Sequence, residues 1–481
     1  MKKQFYRFRP ISRLLSDHIE NGELQNQEIF FAHPSQLNDP VEGYRDIIWS
    51  GDHIVWENLF RHYVYTLHHS IIKFLIFGKE VTLTENDIPV HSSRESLPSD
   101  RAKELESKIE ELFLDNKNIL NLIHQLSQKK SPIRKDELKF YLSRIHLYAV
   151  KCVFDILILE KMSPDCNRIP DEIEAKLEGI QHSIFSENIA KGAVDNILIP
   201  LSIEREQIYL IRKINSPELF ANDNREFLIT KYPFLYVDTL LKVCCQEWYT
   251  ACFMSDYSNS SVWGHYGSNH TGVCLIFNAE TENDSHYLCL EGVNSISSAT
   301  GLNRGTIKLK FHEIKYEEKQ GFFDFFRLLG NISHPTMEKM WYHNKNGARS
   351  ICAEDISASI EKWRDSYWDS FYQAIKIKTK DWSYEKEHRL IWHSSLIDLS
   401  ESSHRAMNYD FKSLHGIIFG INTSDEDKIK IVNIIKEKCQ KYEINDFSFY
   451  QAYFCFDDQC IKKIQLKSLN EIVKAKSNIF Q

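Results

Sequence analysis

Phe5-Tyr6-Arg7-Phe8-Arg9, followed a short helix later by Ile29-Phe30-Phe31-Ala32-His33-Pro34-Ser35-Gln36-Leu37-Asn38-Asp39-Pro40, decides how this chain is read. Each segment opens as an alternating or aromatic strand and ends in polar residues that a packed core does not need. Between them Ile11 to Asn21 reads as one helix closed by Gly22. On the first strand Arg7 and Arg9 alternate with Tyr6 and Phe8, so one face is cationic and the other aromatic. Such a strand, helix, strand unit delivers Arg, His, Ser, Asn and Asp to one rim, which has the character of a pocket wall. The duller reading of either Arg is a salt bridge beside the core. Asn38-Asp39-Pro40 is also ordinary turn chemistry, since Asn and Asp bond their own backbone and Pro fixes the bend.

Working outward, the pattern from Asp52 to Cys245 is helical: Leu59, Tyr63, Leu67 and Ile71 recur at four-residue spacing, as do Leu105, Ile109, Leu112 and Phe113. Further helices are expected at Leu138–Glu160, Asp171–Ala190, Pro217–Ile229 and Pro233–Cys245, with a polar loop from His91 to Asp100. After Gln246 strands dominate: Trp248–Met254, Gly272–Phe277, Ile307–His312, Arg389–His393, His415–Ile421 and Phe447–Phe456. Helices at Thr336–Arg349, Ser357–Lys376 and Asp425–Lys438 interrupt them. The economical fold is α+β, with a mixed, mainly antiparallel sheet assembled from both ends of the chain and a large helical insertion. The expected domains are 1–51 with 246–481 as the α+β core, and 52–245 as the insertion. Loop-closure entropy grows only logarithmically with length, so an insertion of this size is tolerated.

A composition of 42% hydrophobic and 26% charged residues over 481 positions is that of a folded globular chain. The net charge of −8 offers no whole-molecule attraction to phosphate backbones, which argues against a nucleic-acid partner. Locally, Lys2, Lys3, Arg7, Arg9 and Arg13 make the N-terminus basic with no acid among them. The eleven cysteines are odd in number and form no C-x-x-C, so reduced thiols in a cytoplasmic protein are the simplest account. No signal-peptide core or membrane span is expected. P-loop, Rossmann, zincin and nucleophile-elbow motifs are all missing.

Two later clusters carry chemistry. Ser261 to Gly272 is dense in glycine, aromatic rings and histidine just before a buried strand, and Trp263 or Tyr266 could stack on a flat ligand or simply be core. His265 and His270 are five apart with no third ligand at standard spacing, so no metal is expected. In Trp382-Ser383-Tyr384-Glu385-Lys386-Glu387-His388-Arg389, an extended chain puts Glu385, Glu387 and Arg389 on one face. Arg389 alone cannot neutralise both carboxylates, so they form either a solvated ion-pair strip or a catalytic carboxylate site.

Together these clusters resemble the bacterial family DUF2971, an uncharacterised domain. Its pattern runs from a Tyr-Arg strand through a P-S-x-x-N-D-P-x-E turn and a W-x-H-Y-x-x-x-H-x-G-V-C segment to W-x-Y-E-x-E-x-R. The matches are Tyr6 and Arg7; Pro34, Ser35, Asn38, Asp39, Pro40 and Glu42; Trp263, His265, Tyr266, His270, Gly272, Val273 and Cys274; then Trp382, Tyr384, Glu385, Glu387 and Arg389. The layout is also similar to ADP-ribosyltransferase folds. That resemblance implies NAD as substrate, Arg7 on the pyrophosphate or nicotinamide ribose, and Ser35 orienting the ribose. It makes Glu387 the catalytic carboxylate with Glu385 second, and Tyr266 or Trp263 a nicotinamide platform. Tyr6, Arg9, His33, Asn38, Asp39, His270 and Arg389 complete the expected binding set, and His265 joins the catalytic one. The expectation is a cytoplasmic NAD-cleaving effector in bacterial antiviral defence or toxin biology, with an unidentified macromolecular acceptor or protein partner. The alternatives are a nuclease using His33, Asp39, His265 and Glu387, or a non-catalytic ligand sensor.

Overall fold

The computed structural model describes residues 2–15, 22–39, 42–43, 45–178, 193–215, 224–299, 301–317, 322–394 and 397–474. The chain divides into two compact units: Met1–Tyr44, Glu247–Gln320 and Tyr372–Gln481 form the first, and Arg45–Gln246 and Gly321–Phe371 the second.

The first unit is built on one twelve-stranded sheet. Its strands are β1 (Gln4–Arg9), β2 (Glu28–Phe30), β3 (Tyr249–Met254), β4 (Val273–Asn278), β5 (Glu280–Glu282) and β6 (Ser285–Ser297). β7 (Gly301–Glu313), β8 (Glu387–Trp392), β9 (Ala406–Tyr409), β10 (Leu414–Phe419), β11 (Ser448–Cys455) and β12 (Cys460–Gln465) follow. The spatial order is β12-β11-β10-β4-β1-β3-β8-β7-β6-β9-β2, with β5 hairpinned onto β6. Every pairing is antiparallel except β10 with β11, which run parallel around the helix Asp425–Tyr442. The α+β class and mainly antiparallel sheet therefore hold.

Val273-Cys274-Leu275-Ile276-Phe277 is an unbroken apolar run because β4 is covered on both faces, the condition under which alternation disappears. Leu275 and Phe277 join the larger core with Ile431, Ile435 and Cys439 of that helix, while Cys274 and Ile276 join a smaller one with Phe8, Trp263 and Ile418. The helix begins at Ser424, whose hydroxyl accepts from the Asp427 amide, and three acidic residues in its first turn complement the dipole. β1 pairs with β4 along its whole length but with β3 only at Tyr6 opposite Met254. Towards Arg9 the two strands part.

The second unit packs helices His53–Phe77, Asp100–Leu114, Lys117–Gln128, Lys135–Leu159 and Tyr232–Cys244 around their own core. Residues 321–371, expected from the sequence in the first domain, belong here: Phe325, Phe326, Trp341 and Tyr342 are buried in the helical core, with Phe326 edge-on to Trp56 at 5.3 Å. A ribbon of Asp46–Trp49 between Phe322–Asp324 and Ile133–Arg134 makes the unit less than purely helical. The helix expected over Thr336–Arg349 ends at Tyr342, after one wide turn from Glu338. That expected over Ile11–Asn21 forms at Ile11–Leu14, and residues 16–21 lie outside the described residues, as do Pro40 and Val41 of the turn. The expected helices Asp171–Ala190 and Pro217–Ile229 are likewise seen only at Glu172–Glu178 and from Asn224 on. No helix among the described residues is long and apolar enough to cross a membrane.

Candidate functional site

Where β1 and β3 part, the first unit holds a cleft of about 250 Å³ lined by Arg7, Arg9, Arg13, Asn38, Cys252, His265, Tyr266, Lys378 and Glu387 among others. Arg7 bridges the split: Nη1 donates to the Cys252 carbonyl at 3.3 Å and Nη2 to the Phe30 carbonyl at 3.2 Å, with the guanidinium 5.2 Å from the Phe253 ring centre. Its hydrogen bonds among the described residues go to neutral carbonyls, so its charge is uncompensated at contact distance. Burial and the neighbouring Arg9 charge lower its pKa to about 10, which leaves it a cation at neutral pH. Arg9 is forked onto the Glu23 carboxylate, with Nε to Oε2 at 2.6 Å, and Arg13 is exposed at the rim.

Lys378 and Glu387 of the lining belong to a buried ionic cluster. Glu387 accepts from Arg389 at 2.7 Å (Nε) and 3.0 Å (Nη2), and from Lys378 Nζ at 3.2 Å. Arg389 also forks onto Glu42 at 2.6 and 2.8 Å, and Lys378 bonds Glu385 at 2.7 Å. Tyr266 OH donates to the other Glu385 oxygen at 2.6 Å. Glu385, Glu387 and Arg389 are at most 1% exposed. Such charges persist in a low-dielectric interior only because each has partners, and three carboxylates face two cations here. The environment pushes the two strand-mouth carboxyls apart. Burial raises Glu387, but Arg389 and Lys378 outweigh it and hold it down to about 2. Burial raises Glu385, Lys378 pulls it back only in part, and the Glu387 charge adds to the rise. Two neighbouring carboxyls whose surroundings shift them in opposite directions are the kind of pair that acid–base chemistry uses.

Residues 262–390 match the family model described as protein of unknown function, DUF2971. No curated protein and no solved structure matches the chain. The DUF2971 segment supplies His265, Tyr266, Lys378, Glu385, Glu387 and Arg389; β1 and the Asn38–Glu42 turn come from outside it.

Of the residues expected from the sequence, Arg7, Arg9, Asn38, His265, Tyr266 and Glu387 line the one cleft, and Glu385 and Arg389 stand directly behind it. The others do not line it. Tyr6 points to the other face of β1, against Tyr257 at 5.2 Å, because side chains alternate along a strand. His33 and Ser35 cap a short turn through an Nδ1–Oγ bond of 2.8 Å, so the Ser35 hydroxyl is spent locally. Asp39 is buried, and its carbonyl accepts from the Glu42 amide at 3.0 Å; it positions the turn that presents Glu42. Trp263 is fully buried with Nε1 donating to the Tyr257 carbonyl, so it is core and no ligand platform. His270 ends a left-handed run with Ser268 and Asn269 and lies parallel to Trp263. Of the expected nuclease set, His265 and Glu387 line the cleft and His33 and Asp39 do not. The alternation expected over residues 385–389 breaks at Lys386, whose φ of 48° ends a turn before β8 begins.

Sequence reasoning missed Lys378 and Cys252, and it left Arg13 within the basic N-terminus and Glu42 inside the turn pattern without a role. The unneutralised second carboxylate was the available signal that another cation had to arrive. Lys378 reaches it from the two-residue strand Ile377–Lys378, paired with Lys315–Tyr316, which is too short to read in sequence. Tyr316 of the same pair accepts from the Glu387 amide at 2.8 Å.

Proposed function

We propose that the cleft binds a phosphate-bearing nucleotide and that the protein is an ADP-ribosyltransferase-like effector that cleaves the N-glycosidic bond of NAD. The observation that carries this reading is that cations from the N-terminal strand and an ionised carboxylate from β8 line one cleft, with the Tyr266 ring beside them. Arg7 and Arg13 suit phosphate oxygens, Arg7 because its side-chain hydrogen bonds among the described residues go to carbonyls and not to a carboxylate, and Arg13 because it is exposed. In the reaction the bond between the ribose C1′ and nicotinamide breaks, and its electron pair leaves with the ring nitrogen. The positive charge developing at C1′ is what a fixed carboxylate stabilises, the role assigned to Glu387. An acceptor nucleophile or water then bonds C1′ and gives up its proton. The companion helical unit suits sensing or partner docking in bacterial defence or toxin biology.

A second reading rests on the pairing of Glu387 with Arg389 and Lys378, which spends much of its charge: a nucleotide sensor without turnover. NAD consumption by purified protein separates the two. Glu387→Gln should lower turnover at least 100-fold, and Arg13→Ala, at an exposed position, should raise KM several-fold with the fold intact. Thermal stabilisation by ADP-ribose with no NAD loss selects the sensor. Neither turnover nor stabilisation removes both.

A further inference from the structure

Away from the cleft, in the helical unit, His68 and His69 of helix His53–Phe77 and Glu106 of helix Asp100–Leu114 come together. Each presents one ligand atom, and these lie within 4.8 Å of one another. His69 Nδ1 is 3.0 Å from the Tyr65 carbonyl. A carbonyl only accepts, so that nitrogen carries the proton and the Nε2 lone pair is left for a ligand. His68 Nδ1 is 2.6 Å from Glu106 Oε2. Its Nε2 and the other Glu106 oxygen are buried with no hydrogen-bond partner among the described residues. His68 is 5% exposed and Glu106 is 0%. Among those residues no lysine or arginine pairs with Glu106, and nearby Lys73 is engaged by Asp87 at 3.3 Å. A buried carboxylate with one oxygen unbonded, on a histidine with one ring nitrogen unbonded, is an expensive arrangement unless something electropositive joins it.

We propose that His68, His69 and Glu106 form a site for a divalent transition metal of the zinc class, which ties helix His53–Phe77 to helix Asp100–Leu114. Two imidazoles and a carboxylate are a donor set that zinc accepts, with a fourth position left to water. Ligand atoms around one zinc stand roughly 3–3.5 Å apart, so binding draws these donors inward by rotamer-scale movement. Such spacing has no sequence signature, because adjacent histidines and a glutamate on the next long helix match no ligand motif.

The test uses the full chain, stripped with chelator and returned to Zn²⁺ or Co²⁺. Expected are one equivalent of metal per chain by elemental analysis, visible Co²⁺ absorption of a low-coordinate site, and a rise in Tm of several degrees on metal addition. His69→Gln, at a half-buried position, should weaken binding at least tenfold while the circular dichroism of the apoprotein stays unchanged; Glu106→Gln should do the same. A folded wild type that takes up no metal overturns the proposal and leaves a His68–Glu106 hydrogen bond. Binding at unchanged affinity in both variants overturns it too, since the metal would then sit elsewhere.

Discussion

Arg389 holds Glu42 and Glu387 together from a position with no solvent exposure. Its value lies less in net attraction than in what its removal would strand. Three carboxylates, Glu42, Glu385 and Glu387, would remain buried against Lys378 alone, so Arg389→Ala is expected to lower stability by about 3–5 kcal/mol in urea unfolding. Arg389→Lys should lose a smaller part, because an ammonium cannot fork onto both partners. Loss under 1 kcal/mol for Arg389→Ala would mean that the cluster opens to water. The pH dependence follows from the same contacts. Glu387 falls from its ordinary 4.5 to about 2 on folding, so its stabilisation is complete above pH 4.5 and disappears as pH falls towards 2. The amount at stake is about 3 kcal/mol. Glu385 is shifted the other way, so its protonated form favours the folded state and its contribution is lost as pH rises. Urea midpoints measured from pH 6 to pH 2 should therefore fall more steeply in the wild type than in Glu387→Gln. Parallel curves for the two proteins would contradict the assignment.

At the scale of elements, the cleft exists because β1 is zipped to β4 but released from β3 after Tyr6. Gly272 controls the closed side of that split. A Cβ there would lie 2.5 Å from the Arg9 carbonyl and 2.9 Å from the Gly267 carbonyl, both backbone atoms that cannot swing aside. Gly272→Ala should cost about 1–3 kcal/mol and displace the Arg9 end of β1. Binding of ADP-ribose should weaken with it, and tight binding retained by a destabilised variant would place the ligand elsewhere. The strand signals of β1, β3, β4, β8 and β10 were legible because apolar runs or alternation marked them. The β6–β7 hairpin was seen only at Ile307–His312, since its outer half, residues 291–297 and 301–306, is polar and largely exposed and lacks a hydrophobic period. The turn at Lys386 was invisible for another reason: a left-handed lysine has no signature of its own.

For the whole molecule, two units with separate cores predict separable unfolding. Calorimetry should resolve two transitions, with ADP-ribose raising the one that belongs to the sheet unit and Zn²⁺ raising the one that belongs to the helical unit. A single transition moved equally by both ligands would refute that independence. The sequence by itself determined the α+β class, the sheet drawn from both chain ends and the N-terminal segments that carry Arg7 and Asn38, because periodicity and turn chemistry are local properties. It could not assign residues 321–371 to the helical unit, separate Ser35 and Trp263 from the cleft, or find Lys378 and Glu42 beside Glu387. Those outcomes depend on which distant side chain satisfies a buried charge or fills a core, and only the folded chain brings such partners into contact.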